Sequence, residues 1–167
     1  MKLVGFFLLL TVQVFSQQTA TFEIGKLENE QLTIGDKIVI PVYCSQITDA
    51  ITGWQIYIMW DKEVLKYKGL KKSTIAFQGS WFENNINNLF AANWLDPTFE
   101  GVKLSEGEKL FELEFIYLGG QSDVYWSMKE KKENNLLVEG ETKFIAGDFK
   151  EFSCNLINGC ICENKNQ

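Results

Sequence analysis

The stretch Gly53-Trp54-Gln55-Ile56-Tyr57-Ile58-Met59-Trp60-Asp61-Lys62-Glu63-Val64-Leu65 decides the fold. Successive side chains of an extended strand point to opposite faces, so a period of two separates what the strand buries from what it presents. Trp54, Ile56, Ile58 and Trp60 fall on one face, and Gln55, Tyr57 and Met59 on the other. The first set predicts a core face. The second, an amide, a phenol and a thioether, predicts an exposed, adhesive face. Asp61 reads as the cap of one short turn through Leu65, because its carboxylate accepts the N–H groups that a turn leaves unsatisfied.

Strand signals continue on both sides. Upstream are Thr21 to Leu27 and the β-branched run Lys37 to Cys44, with Pro41 marking an edge or bulge. Downstream are Leu89 to Trp94, Leu110 to Leu118, Asp123 to Met128, Lys143 to Phe149 and Gly159 to Glu163. In Leu110 to Leu118, Phe111, Leu113 and Phe115 alternate with Glu112, Glu114 and Ile116. Trp81-Phe82 with Asn84 to Asn88 reads as an Asn-rich loop, and Lys129 to Asn135 as a charged, solvated one. No helical period is sustained. About nine strands separated by turn signals predict an all-β fold, a nine-stranded antiparallel β-sandwich forming one domain over 17–163.

Composition agrees. Of 167 residues, 46% are hydrophobic and 14% aromatic, enough for one real core, and the formal net charge is -6. The longest basic cluster, Lys129-Glu130-Lys131-Lys132, is too small for a phosphate-binding footprint, so no nucleic acid is expected. Residues 1–16 read as a signal peptide: Lys2, the apolar run Leu3 to Leu10, and Val14-Phe15-Ser16 before cleavage. The run is too short to span a membrane, and no second long one follows, so no integral membrane segment is expected. The mature chain, with a polar tail at 164–167, is expected to be exported, either periplasmic or extracellular, and monomeric.

Export permits disulfides. The cysteines are Cys44, Cys154, Cys160 and Cys162, and their spacing leaves the pairing open. Cys160 and Cys162 share a strand face and are not expected to bond each other. A bridge from Cys154 across the Asn158-Gly159 turn is one candidate. Cys44 is either a buried thiol or the partner of a C-terminal cysteine. With no His and no Cys-x-x-Cys pair, neither a metal site nor a cofactor is expected.

The lack of His also removes Ser-His-Asp and Cys-His catalysis. Asp61 and Glu63 are the nearest approach to a glycosidase carboxylate pair, but Asp61 is better used as a cap, so no enzyme is expected. No calcium-binding loop motif is present. Trp81 and Trp94 flank the Asn-rich segment, where they serve either as a stacking platform for sugar or as ordinary packing. Glu112 and Glu114 are either a solvated face or the rim of a binding one.

The ordered set Gly35 to Val42, Gly53 to Leu65 with its Trp60-Asp61 pair, Gly107 to Phe115 and Asn158-Gly159 resembles the cohesin family over roughly residues 20–163. The resemblance implies a nine-stranded jelly-roll sandwich, similar also to carbohydrate-binding modules. It implies a receptor that binds dockerin modules outside the cell and assembles polysaccharide-degrading complexes. The partner would lie flat on one sheet, on Gln55, Tyr57, Met59, Glu112 and Glu114. Direct polysaccharide binding through Trp81 and Trp94, and a structural role in a surface assembly, are the alternatives.

Overall fold

The computed structural model describes residues 19–45, 47, 50–72, 81–86, 88–133, 136–148, 150, 151 and 153–163. The expected signal peptide and the polar tail lie outside the described residues. The strands are β1 (Thr19–Ile24), β2 (Lys26–Glu28), β3 (Lys37–Ser45), β4 (Ile51–Trp60), β5 (Leu65–Lys72), β6 (Trp81–Ile86) and β7 (Leu89–Leu95). They continue with β8 (Glu108–Tyr117), β9 (Ser122–Trp126), β10 (Met128–Glu133), β11 (Leu136–Glu141), β12 (Lys143–Ala146), β13 (Ser153–Ile157) and β14 (Gly159–Cys162). Among the described residues no helix is long and apolar enough to cross a membrane.

Two sheets pack face to face. The first has the order β13-β1-β3-β8-β5, and the second the order β2-β14-β9-β4-β7-β6, with β12 also on β4. The antiparallel expectation holds for most pairs, but β1 runs parallel to β13 and β2 parallel to β14. The chain leaves the first sheet after Ile24 and enters the second at Lys26, and it repeats this move between β13 and β14. The two crossings run side by side. A Cβ on Gly159 would collide with the Gly25 carbonyl and with Ile24, so glycine permits the approach.

The described residues hold fourteen strand segments rather than nine. Each crossing divides one continuous run in two. β9 and β12 share one position, since β9 pairs with Ile58 to Trp60 of β4 and β12 pairs with Ile51 to Gln55. Two segments expected as loops are strands: β6 pairs with β7, and β10 pairs with β11. Their Asn-rich and charged sequences carry little intrinsic β preference, and cross-strand pairing overrides it.

The core lies where the two inner faces meet. Trp54, Ile56, Ile58 and Trp60 are all buried there, as their alternation predicts. Phe111, Leu113 and Phe115 of β8 face them from the other sheet. Trp60 meets Phe115 edge-on at 5.0 Å, and its indole N–H donates to the Leu65 carbonyl at 3.0 Å. A buried indole keeps its polar edge satisfied in this way.

Candidate partner-binding surface

Asp61 ends β4 as expected. Its Oδ1 accepts from Glu63 N at 2.8 Å, and its carbonyl accepts from Val64 N and Leu65 N at 3.1 and 2.9 Å. Val64 and Leu65 are thereby turned into the core.

The outer face of β4 differs from the expectation. Gln55 is half-buried, while Tyr57 and Met59 are buried, at 8% and 7% exposure. With Leu89, and with Ala91 packed against them, they form a small apolar cluster separate from the main core. The cover is the β10–β11 hairpin, which leaves the sheet between β9 and β12. Gly140 lies directly on Tyr57, because a Cβ built there would collide with the ring. The hydroxyl of Thr142 accepts from Tyr57 N at 3.0 Å and donates to Tyr57 O at 3.1 Å. Ser127 N donates to the same carbonyl at 2.9 Å, and Gln55 Nε2 donates to Glu141 O at 3.2 Å. Burial, with Glu130 nearby, pushes the Tyr57 phenol above its ordinary value. Alternation along β4 separated its two faces correctly, but no local signal says that a segment more than seventy positions away covers the second one.

Glu112 and Glu114 do not join that face. They lie on β8 of the first sheet, on the opposite side of the sandwich from Gln55, Tyr57 and Met59. The expectation of one shared sheet is corrected: the hydrophobic pattern sets which side chains of a strand point inward, not which sheet the strand joins. Glu114 is exposed, and Glu112 is held between Lys109 and Lys71, the latter at 3.5 Å. The hydrogen bond from Lys109, opposed by partial burial, keeps the Glu112 carboxyl below the usual range. Glu112 thus joins a small charge cluster on the outer face of the first sheet, with Lys71 of β5 as its cross-strand partner.

The sugar-platform expectation fails at Trp94, which is 3% exposed and packs against Trp54 with ring centroids 6.3 Å apart. A ring must be open to stack on a pyranose, and β7 turns this one into the core. The backbone of Trp81 lies opposite Trp94 on β6, while its side chain lies outside the described part of the structure.

The cysteines are also revised. Cys160 and Cys162 are bonded to each other; their Cα atoms are 5.5 Å apart, within disulfide reach, because β14 is shortened relative to a fully extended strand. With Cys160 and Cys162 bonded to each other, neither is left to bridge to Cys154 across the Asn158-Gly159 turn, and Cys154 lies in the other sheet. Cys44 is the fully buried thiol that one alternative described, and burial, with Glu108, pushes it up to about 12. Cys154 is half-buried and lines a cleft of about 340 Å³ together with Met128, Lys143 and Phe144.

Among the described residues, the far end of the second sheet keeps part of its outer face open. Asn93 stands opposite Gln55, and Leu95 opposite Gly53. Leu95 is 48% exposed, and its side chain and that of Ile145 both lie over Gly53. The loop that follows displays Phe99, 52% exposed with a φ of 58°, and Asp96 fixes it by accepting from Thr98 N and Gly101 N at 3.0 and 2.7 Å. An apolar spot edged by two amides is what this end offers a partner. Sequence reasoning missed it because Leu95 and Ile145 meet only through pairing on either side of Gly53.

No protein-family model and no curated protein matches the sequence. The structure, however, is similar to solved cohesins. The sixth cohesin of Acetivibrio cellulolyticus scaffoldin B, in complex with a dockerin, matches with a TM-score of 0.70 at 17% identity, covering 87% of this chain and 99% of that one. The fold is that of a cohesin. A type I cohesin–dockerin complex from Clostridium thermocellum matches with a TM-score of 0.68 at 18% identity and the same coverage. A non-cellulosomal cohesin from the archaeon Archaeoglobus fulgidus matches with a TM-score of 0.63 at 15% identity, covering 89% and 94%. At such identities the likeness concerns the cohesin fold alone.

Proposed function

We propose that this chain is an exported, non-catalytic adhesion module that binds a dockerin-like protein module, with the open end of the second sheet as its contact surface. The reading rests on a cohesin fold shared along nearly the whole length of structures solved with dockerins. The surface supports it: Leu95 and Ile145 supply an apolar centre over Gly53, and Gln55 and Asn93 supply polar edges, the usual anatomy of a protein interface. Burial of Trp94 removes half of the proposed sugar platform, so direct polysaccharide binding is not carried forward. The polysaccharide-degrading context belongs to the same proposal.

The test is capture from the native secretome on the immobilised mature chain, with and without a calcium chelator. Proteins carrying calcium-loop repeats should be retained and should leave with chelator. Leu95→Asp should weaken binding at least about tenfold while leaving the thermal midpoint in place, since truncating a central contact costs more than a rim one. Retention unaffected by Leu95→Asp would move the interface elsewhere. No calcium-loop protein retained by the wild-type chain would sink the dockerin reading.

A further inference from the structure

We propose that the Cys160–Cys162 disulfide is a redox-active pair that exchanges with an external dithiol. This is a thiol-oxidising activity, and it does not depend on the partner reading given above. Its site is β14 with its two neighbouring strands, on the outer face of the second sheet.

The bond does little for the fold. A disulfide stabilises chiefly by closing a loop in the unfolded chain, and by less as the loop shortens. This one joins residues two apart, with Ile161 alone between them. Backbone pairing already holds β14 on both sides. Cys160, Ile161 and Cys162 stand opposite Lys26, Leu27 and Glu28 of β2, and Cys160 and Ile161 stand opposite Asp123 and Ser122 of β9. Ile161 is fully buried, and Gly159 packs against Ile24 and Gly25. Reduction therefore leaves both sulfurs side by side on a strand that stays in place, ready to close again.

The bond is also within reach. β14 turns Ile161 inward, so both cysteines point outward, and each is partly open to solvent. Lys26, Glu28 and Asp123 around them are exposed. The two sulfurs differ in their neighbours. Cys160 has Lys26 on one side, with Asp123 balancing it on the other, whereas Cys162 has Glu28. A cation beside a sulfur favours its thiolate, and the sulfur with the better stabilised thiolate leaves faster. Cys160 is thus the leaving sulfur and Cys162 the one attacked.

A substrate thiolate attacks Cys162 Sγ, the S–S bond breaks, and Cys160 leaves as a thiolate and takes up a proton. The second substrate thiolate then attacks the substrate sulfur of the mixed disulfide, and Cys162 leaves and is protonated in turn. Two electrons and two protons pass to the pair, and the substrate ends as a disulfide. A low-molecular-weight disulfide restores the pair by the reverse exchange. Cys44 and Cys154 are spectators: both lie in the first sheet, and burial pushes both thiols up to about 12.

The test mixes the oxidised full chain with a reduced two-cysteine peptide, quenches with iodoacetamide and reads both by mass spectrometry. The peptide should be oxidised at least about tenfold faster than by glutathione disulfide at the same concentration. Cys160 and Cys162 should become alkylated, Cys44 should not, and the reduced chain should keep its thermal midpoint. Cys160→Ser and Cys162→Ser should each abolish the exchange. Should they fail to fold, wild-type chain reduced and alkylated at the pair supplies the inactive control. Lys26→Gln should slow exchange about threefold or more without moving the midpoint. Peptide oxidation no faster than by glutathione disulfide, or a reduced chain that melts well below the oxidised one, would overturn the proposal and mark the bond as structural. Reduction by glutathione as fast as by the peptide would overturn the dithiol as substrate.

Discussion

Asp96 is nearly buried and ionised, and it holds the loop after β7 by accepting from Thr98 N, Thr98 Oγ1 and Gly101 N. These hydrogen bonds, that from Thr98 first and opposed by partial burial, keep its carboxyl below the ordinary 3.8. A carboxyl lowered by folding adds stability that is fully present above its ordinary value and is lost as pH falls through the folded value. Asp96→Asn should therefore unfold at lower denaturant than wild type at neutral pH, and the gap should close as the pH drops below 3.8. Urea titrations at a series of pH values check this. At Cys44 the expectation is inertness. A buried thiol raised to about 12 is protonated at neutral pH, so iodoacetamide should modify it only after unfolding, as read by mass spectrometry. Residue chemistry of this kind was partly legible. The cap at Asp61 follows from local sequence, whereas the role of Asp96 depends on a loop conformation with Phe99 at positive φ, which no residue type announces.

At the scale of elements, period-two alternation located β3, β4, β7 and β8 because each buries one face, and burial is written into the order of side chains. It failed at β6 and β10, whose residues favour turns and solvent and which exist through their neighbours. The neck of the hairpin is the element where side-chain chemistry replaces the ladder. Thr142→Val keeps the shape but removes the hydroxyl that satisfies Tyr57 N, which should cost about 1–3 kcal/mol in urea unfolding, the penalty of an orphaned buried donor. β7 carries a second expectation. Trp94→Ala should cost about 3–5 kcal/mol, as for other large aromatic truncations in a packed core. A loss of ligand binding in that variant, accompanied by a lowered thermal midpoint, would report damage to the core and not a lost sugar platform.

The whole molecule is organised by two crossings and one insertion. The crossings at Gly25 and between β13 and β14 bind the two sheets together, and the insertion at Ser127–Thr142 sets which part of the second sheet meets solvent. This arrangement separates the expected site into three. Tyr57 and Met59 are covered, Glu112 and Glu114 are on the opposite sheet, and Gln55 remains at the border of the open end beside Asn93 and Leu95. The sequence by itself determined the fold class, the inward faces and the end of β4, because those depend on side-chain order within one strand. Only the tertiary structure decided which outward faces are open, which strands share a sheet and which cysteines meet. Those depend on where distant segments come to rest, and a strand carries no local record of what packs against its outer face.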